Sequence, residues 1–405
     1  MVKRNPHVAK LHGNYLFPEI QRHSKAFVKA NPQASLIHLG IGDTTEPLPS
    51  FITNRLVHAA KQLGTEEGYT GYGPEEGHYS LRKAIAETVY HNKFQPEEIF
   101  ISDGTNSDIG RLQILFGTDL RLGVQDPSYP VYIDTGIIMG QSHGFDSSSQ
   151  KYKNISYMSC NPSNHFFPTL SEVNPPDLFY FCSPNNPTGA VATFSQLREL
   201  VQFAKKHRII IVFDTAYASY IQDPTLPRSI YDIEEAKEVA IELGSFSKMA
   251  GFTGVRLGWS VVPFALQFDD GHSIHRDWNR VHSTFFNGAS NIAQAGGLAI
   301  LEKEGQQEIQ KLIRYYMDNG ALIQKTFEDL GYEVYGGKNA PYVWVRFPKK
   351  KSWETFLFLL EKAHVVTTPG SGFGPSGEEF IRISSFGKRK NIEEAAHRLH
   401  HLLSH

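Results

Sequence analysis

The most informative segment of the chain is residues 239–259, Val-Ala-Ile-Glu-Leu-Gly-Ser-Phe-Ser-Lys-Met-Ala-Gly-Phe-Thr-Gly-Val-Arg-Leu-Gly-Trp. Its first five residues form a short, largely apolar run, which is typical of a strand buried on both faces. Ser245 and Ser247 then precede Lys248, and Arg256 follows. Hydroxyls, an arginine and glycines can hold a phosphate monoester, and a desolvated lysine beside it can form a Schiff base with an aldehyde. Taken alone, the segment is more typical of a loop with a solvated lysine.

The same succession of an apolar run and a polar or glycine-rich turn recurs earlier in the chain. It is found at 99–101, 120–124, 178–182 and 209–213. Strands buried on both faces have such near-continuous apolar runs, so the sequence predicts an α/β fold with a mostly parallel central sheet. Ligands of such sheets bind beyond the carboxyl ends of the strands. We therefore expect the functional site where the polar residues follow the runs.

The pattern changes after residue 305, which indicates a second structural unit. From 306 to 330 the sequence predicts one long amphipathic helix, with Gly331 as its C-terminal cap. The elements expected after it are a strand, a helix, a strand and a closing helix, at 342–347, 353–363, 380–384 and 391–403. The N-terminal segment is too short to fold alone. We therefore predict a small α+β domain from 1–47 and 306–405, and a large ligand-binding domain from 48–305.

Composition and charge exclude several classes of protein. The 405 residues carry 40 basic and 42 acidic side chains, so there is no basic excess and we expect no nucleic-acid partner. The two cysteines, Cys160 and Cys182, are too few for a disulfide framework or a metal cluster, so we expect no metal and a reducing compartment. No run approaches the roughly 18 apolar residues of a membrane span, and no signal peptide is recognisable. The sequence thus predicts a cytoplasmic protein with no membrane partner.

Three further polar residues follow predicted strands. Asp214 ends the run 209–213, Tyr217 adds a phenol, and Asn186 lies between two prolines in the turn at 183–189. Each has an ordinary explanation as a turn or cap residue. Together with the lysine segment they match the needs of one cofactor, pyridoxal 5'-phosphate. Its pyridine nitrogen needs a carboxylate, its phenolic oxygen needs donors, its aldehyde needs a lysine, and its phosphate needs hydroxyls and an arginine.

In order and spacing these motifs resemble the fold-type I aminotransferases of the aspartate aminotransferase superfamily, over nearly the whole chain. The resemblance implies a PLP-dependent transaminase in which Lys248 bonds to the cofactor and moves the substrate proton, with Asp214 and Tyr217 as the other catalytic residues. It implies that Tyr129 stacks on the cofactor ring. The full cofactor-binding set that it implies is Tyr72, Thr105, Asn106, Tyr129, Asn186, Asp214, Tyr217, Ser245, Ser247, Lys248, Arg256 and Asn287.

The same resemblance implies how substrate and subunits are arranged. Arg382 matches the arginine that grips the substrate α-carboxylate, which suits bidentate guanidinium geometry, and Gly42 lets the backbone approach the same group. Tyr72 and Asn287 match residues that act across the subunit interface in relatives. We therefore expect a homodimer with shared active sites, acting on small amino acids and 2-oxo acids.

Finer features resemble the LL-diaminopimelate aminotransferase family, in the segments 14–20, 39–49, 68–73 and 284–290. The resemblance implies amino transfer from glutamate to tetrahydrodipicolinate, giving LL-diaminopimelate for lysine and peptidoglycan precursors. Glu75 is a candidate partner of the distal ammonium, and a solvated loop carboxylate is an equal alternative. The implied substrate-binding set is Tyr15, Gly42, Glu75, Asn106, Tyr129, Asn186, Asn287 and Arg382.

One position departs from the family pattern and leaves alternatives open. Asn106 stands where the family usually has a lysine, and an amide offers a neutral contact in place of a charge. Selectivity is therefore expected to be relaxed. A broad aspartate or aromatic aminotransferase remains an alternative, as does a carbon–sulfur lyase of the same fold. A transcriptional regulator is disfavoured, because the residues before the large domain leave no room for a DNA-binding module.

Overall fold

The computed structural model describes residues 1–11 and 16–404 of the chain. The α-helices are α1 (Leu16–Ala30), α2 (Ser50–Gln62), α3 (Tyr79–Thr88), α4 (Thr105–Phe116), α5 (Val131–Met139), α6 (Phe194–His207), α7 (Phe246–Met249), α8 (Ile274–Phe285), α9 (Asn291–Leu301), α10 (Lys303–Asp329), α11 (Ser352–Ala363) and α12 (Arg389–Leu403). The β-strands are β1 (Ile37–His38), β2 (Ile99–Ser102), β3 (Leu122–Asp126), β4 (Phe145–Asp146), β5 (Lys151–Tyr152), β6 (Ile155–Ser159), β7 (Leu178–Cys182), β8 (Ile210–Asp214), β9 (Ala240–Ser245), β10 (Gly258–Val261), β11 (Val334–Gly336), β12 (Tyr342–Arg346), β13 (Val365–Val366), β14 (Thr368–Pro369) and β15 (Phe380–Ser384).

A seven-stranded sheet in the order β2-β10-β9-β8-β7-β3-β6 forms the centre of the molecule. Its strands run parallel except β10, which is antiparallel to both of its neighbours. The α/β fold with a mostly parallel sheet is thus confirmed. Strand β10 was not anticipated, because its four residues lie in the same glycine-rich segment as Lys248. Its first residue, Gly258, pairs with Ser102 and Ser245, so it begins where β2 and β9 end.

A smaller sheet, β11-β12-β15-β14, and the pair β1–β13 are built from the two ends of the chain. Ile37 of β1 packs in one apolar cluster with residues of this smaller sheet, while the central sheet fills a second cluster. The long helix α10 contributes Ile309 and Ile313 to the second cluster, and Ile323 and Phe327 to the first. The division into 1–47 with 306–405 and 48–305 stays a prediction.

Helix α10 ends as its sequence indicates. Gly331 has a φ of +78°, in the left-handed region that favours glycine, and its N–H donates to Glu328 O at 2.9 Å. Among the helices of the described residues, none is long and apolar enough to cross a membrane.

Candidate functional site

The polar residues that follow the central strands converge on one cavity of about 380 Å³. Segments that follow five parallel strands supply most of its wall, and β12, β15, the segment after β1 and Phe17 of α1 supply the remainder. Because parallel strands end at the same edge of the sheet, residues far apart in sequence meet there. The predicted residues that line the cavity are Gly42, Thr105, Asn106, Tyr129, Asn186, Asp214, Tyr217, Ser245, Ser247, Lys248, Arg256 and Arg382.

Lys248 lies on the short helix α7, directly beyond β9. The Ser245 hydroxyl accepts a hydrogen bond from Ser247 N at 3.1 Å and so caps this turn. The ammonium nitrogen of Lys248 donates to the Gly42 carbonyl, and its own backbone carbonyl accepts from Tyr220 Oη at 2.8 Å. Burial lowers the pKa of Lys248 to about 8, with the positive charges of Arg382 and Arg256 acting in the same direction. About a tenth of the amine is therefore neutral at pH 7, far more than for a lysine in water.

Asp214 is the last residue of β8 and is buried at the floor of the cavity. Its carboxylate accepts hydrogen bonds from Tyr132 Oη at 2.8 Å and from Ala216 N at 2.9 Å. Burial raises its pKa, and these two bonds oppose the rise. Within the described residues no basic side chain forms an ion pair with this carboxylate. A buried carboxylate of this kind is suited to a cationic group on a ligand.

Two tyrosines and an amide form the wall beside Asp214. Tyr217 Oη lies 2.9 Å from Tyr342 Oη, and both side chains are buried. The amide oxygen of Asn186 accepts from Arg382 Nη1 at 2.6 Å. The amide nitrogen of Asn186 is thus the atom that can donate to a phenolic oxygen in the cavity. Tyr217 and Asn186 both line the cavity although they are 31 residues apart in sequence, and their roles stay predictions.

Hydroxyls, a guanidinium and a helix start form a cradle on another side of the cavity. Arg256 Nη1 donates to Ser247 Oγ at 3.3 Å and to Thr253 O at 3.1 Å. Helix α4 begins at Thr105, which lines the cavity, and no side chain caps the helix, so its first N–H groups are available to a ligand there. A Cβ at Gly104 would overlap the Arg256 guanidinium, so this glycine allows the close approach. The arrangement suits a phosphate.

Arg256 itself has a φ of +67°, an uncommon conformation for a residue with a side chain. Strain of this kind persists where the surroundings determine it, and functional sites are common places for it. Here it directs the guanidinium back toward Ser247 and Gly104.

Arg382, on β15, has its guanidinium group held in place over the ring of Tyr342. Its guanidinium carbon lies 4.4 Å from the Tyr342 ring centroid and 4.8 Å from that of Phe373. Nη2 donates to Gly40 O at 2.5 Å, and the residue is 1% exposed. A planar guanidinium fixed in this way can bind a carboxylate through two parallel bonds.

Asn106 and Tyr129 lie together at the cavity wall. Asn106 Nδ2 donates to Tyr129 Oη at 3.3 Å, although the side chain of Asn106 is otherwise open to solvent. The ring of Tyr129 packs edge-on against Tyr132, with centroids 5.8 Å apart. The stacking role of Tyr129 stays a prediction.

Three predicted residues do not line the cavity of their own chain. Tyr72, Glu75 and Asn287 are all exposed, and Tyr72 is 88% exposed. The two loops that carry them are nevertheless adjacent, since a Cβ at Gly288 would lie 3.0 Å from Pro74 O. A fourth predicted residue, Tyr15, lies outside the described residues.

Tyr132 and Tyr342 are among the lining residues that were not identified from the sequence. Tyr132 lies in the first turn of α5 and Tyr342 begins β12, so each looks like an ordinary apolar position in its element. Their hydroxyls bond residues 82 and 125 positions away. The one sequence feature that could have indicated them is a tyrosine close to the start of its helix or strand.

Residues 34–399 match the family model described as aminotransferase class I and II. The chain is 59% identical over 403 residues to an LL-diaminopimelate aminotransferase of Protochlamydia amoebophila, covering 100% of this chain and 98% of that relative. It is 55% identical to the chloroplastic LL-diaminopimelate aminotransferase of Arabidopsis thaliana, covering 99% and 87%. Among solved structures, L,L-diaminopimelate aminotransferase from Chlamydomonas reinhardtii superposes with a TM-score of 0.96 at 54% identity, covering 99% and 98%.

Proposed function

The chain belongs to the class I and II aminotransferases, and from this premise we propose that it transfers an amino group from glutamate to tetrahydrodipicolinate. The products are LL-diaminopimelate and 2-oxoglutarate, on the route to lysine and peptidoglycan precursors. The observation that carries this substrate assignment is 59% identity to an enzyme of that name, over 100% of this chain and 98% of the relative.

Aminotransferases of this family use pyridoxal 5'-phosphate, and the cavity fits that group. The buried carboxylate of Asp214, with no cation beside it in the described residues, suits the pyridine nitrogen. The cradle of Ser245, Ser247 and Arg256 suits the phosphate, and the Lys248 amine suits the aldehyde. Each chemical feature of the cofactor therefore has a partner of the right kind.

The bound cofactor withdraws electrons from the substrate's α-carbon, and the chain's own residues direct that chemistry. Lys248 is the base, because its pKa near 8 lets Nζ accept a proton from the α-carbon and return it. Asp214 would stabilise a positive charge on the ring nitrogen. Arg382 holds the substrate carboxylate and thereby orients the α-carbon toward Lys248.

We also propose that the active enzyme is a homodimer with shared sites. Tyr72, Glu75 and Asn287 are exposed here, and further aromatic side chains, Tyr69 and Phe285, are exposed near them in sequence. Asn291 Nδ2 donates to Gly71 O at 3.2 Å, which ties the two loops into one surface. If a second copy binds this surface, these side chains would reach into its active site. Such an interface should bury more than about 2,000 Å² of accessible surface.

Subunit mixing tests this proposal. A Lys248→Ala chain and a Tyr72→Phe chain are each expected to be inactive or nearly so. Their mixture should regain activity, because one hybrid site then has both native groups. The control is each variant mixed with itself. If activity stays absent although subunit exchange and cofactor binding are confirmed, the sites are not shared through Tyr72.

Steady-state kinetics test the substrate. LL-diaminopimelate, meso-diaminopimelate, lysine, aspartate and phenylalanine are compared with 2-oxoglutarate as acceptor. We expect LL-diaminopimelate to have the highest kcat/KM. If aspartate or phenylalanine is preferred, the chain is a broad aspartate or aromatic aminotransferase, and release of ammonia and pyruvate would instead indicate a carbon–sulfur lyase.

Glu75 and Asn106 are proposed to set the selectivity at the far end of the substrate. Glu75→Gln should slow LL-diaminopimelate but not glutamate, whereas the exposed Glu67→Gln is a matched control that should change neither. Asn106 gives only a neutral bond, so meso-diaminopimelate or lysine should be used slowly. Asn106→Lys should reduce the use of lysine, which has no distal carboxylate, because the substitution restores a charge that only a distal carboxylate can pair with.

We further propose a cytosolic location. Cys160 and Cys182 are both free and buried, which suits a reducing compartment. Fractionation of cells that express the tagged chain tests it, and recovery with an organelle would overturn it.

A further inference from the structure

The loop that carries Glu75 is fixed from inside the chain by a buried histidine. His282, on α8, is 0% exposed, and its Nε2 donates to Glu75 O at 3.1 Å. The following residues are fixed as well, since Ile101 N donates to Glu76 O at 2.8 Å and His78 N donates to Gln294 Oε1 at 2.7 Å. The backbone of this loop is thus held while the Glu75 carboxylate points to solvent.

The residue before Asn287 is held by the same cluster. The Phe286 ring packs edge-on against His282, with centroids 5.3 Å apart. The Arg111 guanidinium lies over the Phe286 ring, 4.2 Å from its centroid. A cation–π contact of a largely buried arginine is a strong one, and it restricts where the chain at Asn287 can go.

Arg111 in turn is anchored beside the cofactor cradle. It forms ion pairs with Asp103 at 3.0 Å and with Asp108 at 3.3 Å, the two carboxylates that flank the start of α4. Burial, reinforced by the positive charge of Arg111, lowers the pKa of His282 to about 4. His282 is therefore a neutral donor across the physiological range, and Arg111 carries the charge in this cluster.

We propose that His282 and Arg111 are positioning residues for the far end of the substrate in the neighbouring subunit's site. His282 sets Glu75 through its backbone carbonyl, and Arg111 sets Asn287 through the Phe286 ring. The inference rests on the proposed function, because it requires a two-ended substrate and a shared site. Through Arg111, the loops that carry Glu75 and Asn287 are connected to the start of α4, which is also expected to bind the cofactor phosphate.

Kinetics of matched variants test the role of His282. His282→Leu removes the donor, and His282→Gln keeps a donor of similar reach. We expect His282→Leu to raise KM for LL-diaminopimelate by roughly three- to tenfold, the size of one neutral hydrogen bond. KM for glutamate, which has no distal ammonium, and the cofactor's absorbance should not change. His282→Gln should retain most of the wild-type KM.

A control and a double variant separate positioning from general stability. His275, on the same helix, also packs on Phe100 and bonds a backbone carbonyl, that of Glu97 at 2.9 Å. His275→Leu should leave both KM values unchanged. In a Glu75→Gln background, His282→Leu should add nothing, because the residue through which it acts has already lost its charge.

Phe286→Leu and Phe286→Tyr test the Arg111 branch. The first removes the ring beneath the guanidinium and should raise KM for LL-diaminopimelate, whereas the second keeps the ring and should not. The proposal is overturned if His282→Leu and Phe286→Leu leave that KM unchanged, or if His282→Leu acts equally with Glu75→Gln present. If the wild-type enzyme does not use LL-diaminopimelate at all, the proposed function fails, and this inference fails with it.

Discussion

Gly42→Ala is a one-carbon change that should disable the site. A Cβ at position 42 would overlap the Tyr342 hydroxyl and lie 3.3 Å from the ring carbon that bears it. That hydroxyl cannot move freely, because it is bonded to Tyr217 Oη at 2.9 Å and its ring is buried below Arg382. The Gly42 carbonyl also accepts from Lys248. The added methyl group would therefore disturb both the Tyr342 hydroxyl and the hydrogen bond between Lys248 and the Gly42 carbonyl.

The magnitude follows from the displacement. Restoring ordinary contact requires the Tyr342 hydroxyl or the Gly42 backbone to shift by about 1 Å, and a misplacement of that size costs about 100-fold in rate. That factor corresponds to about 2.7 kcal/mol of activation free energy. Overpacking of the buried contact should also lower the free energy of unfolding, by about 1–3 kcal/mol.

A second substitution should reverse most of the loss. Tyr342→Phe removes the overlapping oxygen and leaves only the 3.3 Å contact, which a shift of a few tenths of an ångström relieves. Tyr342→Phe alone loses one hydrogen bond, about 0.5–1.5 kcal/mol. The Gly42→Ala, Tyr342→Phe double variant should therefore have nearly the activity of Tyr342→Phe, not that of Gly42→Ala.

Steady-state kinetics and thermal unfolding of the three variants and the wild type decide the matter. Gly110→Ala, on α4, is the matched control, because a Cβ there meets no atom within 4 Å. If Gly42→Ala keeps kcat/KM within about threefold of the wild type, the steric reasoning is refuted. It is also refuted if the double variant is as slow as Gly42→Ala, since the oxygen would then not be the obstacle.

Three further outcomes are expected. Tyr132→Phe removes a hydrogen bond to the buried Asp214 carboxylate. A cofactor titration should then show pyridoxal phosphate binding weakened by about 10- to 150-fold, the equivalent of about 1.5–3 kcal/mol. Unchanged affinity would contradict the role of Tyr132. Because burial lowers the pKa of Lys248 from 10.5 to about 8, the cofactor-free fold bears a cost for the ammonium below pH 8 that disappears as the pH rises toward 10.5. Cofactor-free Lys248→Met should therefore be more stable than cofactor-free wild type to urea at pH 7, by a margin that closes toward pH 10.5, and a constant margin would count against the shift. Borohydride reduction and peptide mapping should place the cofactor on Lys248, and Lys248→Ala should lose turnover with the fold intact; a label on another lysine would disprove the assignment.

Much of the fold follows from the sequence because strands and helices are local. The runs at 178–182 and 380–384 form strands over the same residues, and the long helix begins three residues before its predicted start. The short strands β1, β13 and β14 were not anticipated. Strands of two residues carry no periodicity, and each exists only because a distant segment of the chain lies beside it.

The candidate site likewise combines residues that the sequence identifies with contacts that it does not. Lys248, Asp214 and Ser245 could be identified because each lies at the end of its strand or just beyond it, and the carboxyl ends of parallel strands share one edge of the sheet. Tyr132, Tyr342 and the contact of Arg382 with Asn186 could not, because they join residues 82, 125 and 196 positions apart. The order of residues along one strand and turn is encoded locally and can be read from the sequence. Which side chains fill the space between two such turns depends on packing between segments, and only the folded chain determines that.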